Sequence, residues 1–195
     1  RITFFFGQAG LKGNFTFDQA GPDKDSLIKT LTIEGDEEND RFGARVCWVG
    51  DVNGDGADDI LVAAPGAGDL STGRTACGKV YLIYGKKNII KTLLDDPDGR
   101  NLVDYDGDNV TDGVFTAEGV VNDLRQGAAF VGEADDYGIV AISPAGDVNG
   151  DGLADFLIGS PNADVPPDLG YLPAVQVQAG RAYLVLGRAY SLPNP

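Results

Sequence analysis

A sixteen-residue block occurs twice in this chain of 195 residues. Gly50-Asp-Val-Asn-Gly-Asp-Gly-Ala-Asp-Asp-Ile-Leu-Val-Ala-Ala-Pro65 matches Gly146-Asp-Val-Asn-Gly-Asp-Gly-Leu-Ala-Asp-Phe-Leu-Ile-Gly-Ser-Pro161 at an offset of 96. A repeat of this kind restricts the fold to copies of one supersecondary unit, since such a unit buries its apolar face only by stacking on a neighbour. Three heptads extend the pattern: Arg1-Ile-Thr-Phe-Phe-Phe-Gly7, Lys79-Val-Tyr-Leu-Ile-Tyr-Gly85 and Arg181-Ala-Tyr-Leu-Val-Leu-Gly187. Each reads as a strand closed by a turn. A further pair, Leu31-Thr-Ile-Glu-Gly35 and Phe115-Thr-Ala-Glu-Gly119, precedes Phe42-Gly43 and Tyr137-Gly138 respectively.

No segment sustains a 3.6-residue apolar period, and Gly, Pro, Asn and Asp punctuate the chain throughout. The expected fold is all-β, with antiparallel four-stranded blades stacked face to face as in a propeller. Residues 8–30, 86–113, 120–136 and 162–179 read as loops, because none carries a pattern long enough for an element.

Thirty acids stand against 15 bases, a net charge of -15. Such a chain cannot neutralise a run of phosphates, which excludes a nucleic-acid partner and disfavours an anionic membrane surface. There is no His, so the usual general base and the commonest transition-metal ligand are missing. No apolar run approaches the length of about 18 residues that spans a bilayer, so no membrane insertion is expected. A start at Arg1, without Met or an apolar signal segment, is expected of a processed form or a piece of something longer.

The acids are patterned. Asp51, Asn53, Asp55 and Asp59 place side-chain oxygens at positions 1, 3, 5 and 9 of a loop, with the carbonyl of Ala57 at position 7. Asp147, Asn149, Asp151, the carbonyl of Leu153 and Asp155 repeat the set. Alternate oxygens in a tight loop converge on one point, and the Gly at position 6 takes the bend, an arrangement that wraps a hard cation. Ca²⁺ is expected rather than Mg²⁺, which gives up its water reluctantly. Unlike an EF-hand, position 12 is Val62 or Ile158, and strands rather than helices flank both loops. A third run, Asp104, Asp106, Asp108, the carbonyl of Val110 and Asp112, keeps the spacing but has Asn109 at the bend. It is a third candidate site, set against an ordinary acidic turn. The plain alternative for all three is a solvated Asp/Gly turn.

The run from Asp40-Arg-Phe42-Gly43 through Gly50-Asp51-Val-Asn-Gly-Asp-Gly, Ile60 to Ala64-Pro65-Gly66 and Gly78-Lys-Val-Tyr resembles the FG-GAP repeat of integrin α-subunit β-propellers and their microbial relatives. The second copy departs in Tyr137-Gly138, in Ser160-Pro161-Asn162 and in one extra residue before Asp147, which a bulge near Pro144 would absorb. The resemblance implies a seven-bladed propeller with calcium in the loop between the first and second strands of a blade. It also implies that the Glu-Gly strand is the outermost strand of the preceding blade. Residues 1–34 would then be strands three and four of one blade, 35–119 a complete blade, and 120–195 a blade lacking its last strand. Two acidic-loop blades cannot close that ring, so a partial propeller, or one completed by self-association through strand addition into a ring or filament, is expected.

The functional expectation is a calcium-binding, non-catalytic module, extracellular or at the cell surface, that serves adhesion or a structural surface assembly. Its partner would be a protein or surface ligand. The alternative is an accessory propeller segment of a larger secreted enzyme. Ligand is expected at the end opposite the acidic loops, on loops 66–77, 120–136 and 162–179, with Tyr171 and Leu172 the residues to test. Cys47 and Cys77 suggest a disulfide in such a compartment, with two buried free thiols as the alternative. Trp48 reads as a packing residue between blades.

Overall fold

The computed structural model describes residues 1–5, 20–21, 28–69, 71–85, 114–117, 120–121, 127–132, 139, 141–164 and 178–189. The third acidic run (Asp104, Asp106, Asp108, Val110, Asp112), the loop 86–113 and Tyr171 and Leu172 lie outside them.

Among the described residues the named elements are strands, paired antiparallel except for two short parallel pairings. The central sheet is built by β4 (Arg45–Gly50), β5 (Asp59–Ala64), β6 (Lys79–Ile83) and β8 (Gly127–Val131), in that order and antiparallel throughout. A second antiparallel sheet has the order β11 (Arg181–Val185), β10 (Asp155–Ser160), β9 (Ala141–Gly146). In the third, β3 (Ile28–Glu34) pairs antiparallel with β1 (Ile2–Phe5). It also pairs in parallel with β2 (Ala20–Gly21) and β7 (Val114–Thr116).

Every residue of β5 is buried, because both faces of the central sheet are covered. Ile60, Val62, Tyr81 and Ile83 pack on one side with Ile33, Phe42, Val120 and Val121. Leu61, Ala63, Val80 and Leu82 pack on the other with Phe156 and Ile158 of the second repeat. Strand alternation sends neighbouring residues to opposite faces, so one uninterrupted apolar strand feeds two cores. Phe130 meets Phe156 edge to face at 5.5 Å, and Phe42 meets Tyr81 in the same way, also at 5.5 Å. The three sheets are thus stacked face to face, as blades are.

Besides the segment 8–30, read as a loop but entered by β2 and by the start of β3 at Ile28, four expectations need correction. The fourth strand of the central sheet is Gly127–Val131, inside the segment 120–136 read as a loop, while Val114–Thr116 lies instead beside β3. Gly127, Ala128 and Ala129 have little β-propensity and become strand by docking on β6: Gly127 lies so close to the Leu82 carbonyl that a Cβ has no room. The bulge near Pro144 is present, but β4 carries the same one. Trp48 pairs with Ile60 and Gly50 with Asp59, just as Pro144 pairs with Phe156 and Gly146 with Asp155. A bulge common to both repeats cannot absorb the extra residue, which falls before Ala141.

Trp48 is 62% exposed on the edge strand β4 rather than packed between sheets. Cys47 and Cys77 are both free thiols. β4 and β6 lie on opposite sides of β5, and the Cys77 thiol instead donates to the Ala67 carbonyl at 3.8 Å. Burial pushes both thiols up in pKa.

Candidate metal centre

Both acidic loops lie between the first and second strands of a repeat, 51–58 between β4 and β5 and 147–154 between β9 and β10. Their internal bonding is nearly identical. Asp51 Oδ1 accepts from Gly54 N at 2.6 Å and Asp55 N at 3.1 Å, and its Oδ2 accepts from Gly56 N at 2.8 Å. Asp147 does the same with Gly150, Asp151 and Gly152 at 2.7, 3.1 and 2.9 Å. At position 3, Asn53 Oδ1 accepts from Asp55 N at 2.9 Å and Asn149 Oδ1 from Asp151 N at 3.1 Å. At position 5, Asp55 Oδ1 accepts from Ala57 N and Asp151 Oδ1 from Leu153 N, both at 2.9 Å.

The chain can wind this tightly because its glycines take φ angles closed to most L residues. Gly54 and Gly56 sit at +80° and +85°, and Gly150 and Gly152 at +78° and +88°. The winding gathers the first, third and fifth side chains: Asn53 Nδ2 donates to Asp55 Oδ2 at 3.2 Å, and Asn149 Nδ2 to Asp151 Oδ2 at 2.9 Å.

The ninth-position acids behave differently. Asp59 and Asp155 are both fully buried. Asp59 Oδ2 accepts from Val52 N at 2.9 Å and its Oδ1 from Gly85 N at 2.8 Å. Asp155 repeats this with Val148 N and Gly187 N, both at 2.7 Å. Each carboxylate therefore clamps the start of its loop to the Gly that closes the heptad strand, a role the 1, 3, 5, 9 spacing does not show. The closing glycines held a signal that could have revealed it, since they recur with the acidic block in both repeats. Burial pushes the Asp59 carboxyl up to about 6, against the two backbone hydrogen bonds that favour its charge, and Asp55 and Asp51 add repulsion.

Carboxylate, amide and carbonyl oxygens form the hard donor set that suits Ca²⁺. By that chemistry the residues fit the ion: Asp51, Asn53, Asp55 and the Ala57 carbonyl would hold it in one loop. Asp147, Asn149, Asp151 and the Leu153 carbonyl would hold it in the other. Among the described residues no group of three or more His, Cys, Asp or Glu side chains gathers tightly enough to hold a metal ion. Asp59 and Asp155 are turned to backbone N–H groups, although an ionised carboxylate keeps lone pairs beyond those two bonds.

Two stacked antiparallel sheets, each with an acidic loop between its first and second strands, are of propeller-blade type. The FG-GAP repeat family matches residues 42–83 and 140–185, so the chain contains two FG-GAP repeats. Integrin alpha pat-2 of Caenorhabditis elegans is 38% identical over 65 residues, 33% of this chain and 5% of the relative. Integrin alpha-PS3 of Drosophila melanogaster is 29% identical over 139 residues, 71% of this chain and 10% of the relative. The chain spans a tenth or less of the length of these curated relatives. Among the described residues no helix is long and apolar enough to cross a membrane.

Proposed function

We propose that this integrin-like FG-GAP module binds calcium in the loops 51–59 and 147–155 and acts without catalysis in adhesion or surface assembly, outside the cell or on its surface. The observation that carries the calcium reading is the matching winding of two loops, each with only hard oxygen donors on positions 1, 3, 5 and 7. Two copies of the block, 96 residues apart, meet the same stringent backbone demands, which a solvated turn does not require. The third run, 104–112, belongs to the same proposal.

Thermal unfolding and calorimetry with calcium, magnesium or a chelator test it. At a calcium concentration about 100 times Kd the fold gains about 2.7 kcal/mol, or roughly 5–10 °C in a chain of this size. Magnesium gives less, and Asp51→Asn combined with Asp147→Asn removes the part of the gain that these two loops supply. An unchanged midpoint with no heat of binding discards calcium.

Ligand is proposed at the end away from the acidic loops, where Arg74 of the loop 66–77 donates to the Gly132 carbonyl at 2.9 Å and ties two loops together. Adhesion of coated beads should fall with substitutions at Ser71 and Thr72 while stability holds. Self-association is proposed because Leu157, Leu184 and Leu186 leave an apolar strip exposed on the second repeat. Light scattering that finds a monomer unchanged in size by Leu184→Lys rules it out.

A further inference from the structure

The first acidic loop is bonded to the second repeat. Its Asp51 carbonyl accepts from Ala154 N at 2.9 Å and its Val52 carbonyl from Arg188 N at 2.9 Å. Both donors adjoin the second clamp: Ala154 precedes Asp155 itself, and Arg188 follows Gly187, whose N–H donates to Asp155 Oδ1. Val52 in turn gives its N–H to Asp59 Oδ2. A continuous path of peptide units and hydrogen bonds therefore runs from the clamp of one repeat to the clamp of the other. The contact is close: a Cβ on Gly187 would come within 2.6 Å of the Ala154 carbonyl oxygen, and one on Gly50 within 2.9 Å of the Ala154 Cβ.

Among the described residues the second loop has the same internal bonds and no outer support of this kind. Among the described residues no backbone donor reaches the carbonyls of Asp147 and Val148. Val52 is 5% exposed and its counterpart Val148 57%. Ordering a loop costs conformational entropy each time it is ordered by a ligand, and a neighbour that has already ordered it removes that cost.

We infer that the second repeat is the positioning element of the first acidic loop: Ala154 and Arg188 hold the loop wound through the Asp51 and Val52 carbonyls, so the two loops differ in preorganisation. Joined to the calcium reading, on which this half rests, the first loop binds calcium more tightly than the second, and the advantage depends on the junction.

Amide hydrogen exchange by NMR on the metal-free chain tests the positioning without any cation. The amides of Gly54, Asp55 and Gly56 should exchange about tenfold more slowly than those of Gly150, Asp151 and Gly152, the scale of one or two net hydrogen bonds. Arg188→Pro removes the donor and should erase most of the difference, whereas Arg188→Ala keeps the N–H and the protection. Gly187→Ala wedges the same junction without removing a donor and decides the matter if the proline variant misfolds by circular dichroism. Calcium titrations of Asp151→Asn and Asp55→Asn then read each loop separately. The first loop should be tighter by about tenfold, and Gly187→Ala should bring the two together. Equal exchange in the two loops overturns the inference. Unequal exchange with no calcium uptake supports the positioning and overturns the calcium reading, and equal affinities overturn the cation half alone.

Discussion

Leu61 and Leu157 occupy the same place in two copies of one strand, yet Leu61 is fully buried and Leu157 is 40% exposed. Val52 and Val148, Leu82 and Leu184 differ in the same direction. In each pair the buried member belongs to the first repeat, because the second repeat lies on it. Identical local structure therefore carries unequal energetic weight, and the neighbour sets the weight.

The sharpest way to break this comparison is to truncate both leucines. Leu61→Ala should cost about 2–5 kcal/mol in urea unfolding, the usual penalty for a cavity in a packed core. Leu157→Ala should cost under about 1 kcal/mol, because water already reaches the side chain. Equal costs would mean that the outer face of the second repeat is covered in solution, and the loss measured at Leu157 would gauge how well.

The clamps should differ less. Asp59→Asn and Asp155→Asn each replace an acceptor oxygen by an NH₂ that faces a backbone N–H, which costs about 1–3 kcal/mol for the buried unsatisfied donors. Chemical unfolding of both variants measures it, and a neutral result at either position would deny that carboxylate its clamping role.

The pH dependence is narrower still. Asp59 is raised from its ordinary 3.8 to about 6, so between those values the native chain keeps a proton there that the unfolded chain has lost. Stability then falls as pH rises through that window, since the native state binds more protons. Asp59→Asn has no proton to lose and should flatten the slope between pH 4 and 6, followed by urea midpoints at several pH values. An unaltered slope would mean that another group sets it.

The smallest difference should come from Gly56→Ala and Gly152→Ala. Both glycines sit at positive φ with nothing within 4 Å of an added Cβ, so the cost is backbone strain alone, about 1–2 kcal/mol at each. Their thermal shifts should match, because no neighbour intervenes. A mismatch would show that the second loop is wound differently from the first.

Some of this was legible in the chain and some was not. The duplicated acidic block, the heptads and the absence of a helical period led directly to strands β1, β4, β5, β6, β10 and β11 and to the loops between first and second strands. These are local properties: β-branched and aromatic runs, positive-φ glycines and Asx turns act within a few residues. β8 escaped because Gly127, Ala128 and Ala129 form a strand only against β6. The role of Asp59 escaped because its partner Gly85 lies 26 residues away, a pairing that only the closed sheet brings about. The burial of Val52 and the exposure of Val148 and Trp48 had no sequence signal either, since the two valines sit in identical heptapeptides. What the amino-acid order determined by itself was the repeating unit and the winding of its acidic loops, which hydrogen bonds between near neighbours dictate. The tertiary structure alone decided which copy of each residue is covered, because burial depends on what stacks against a face and not on the residues that compose it.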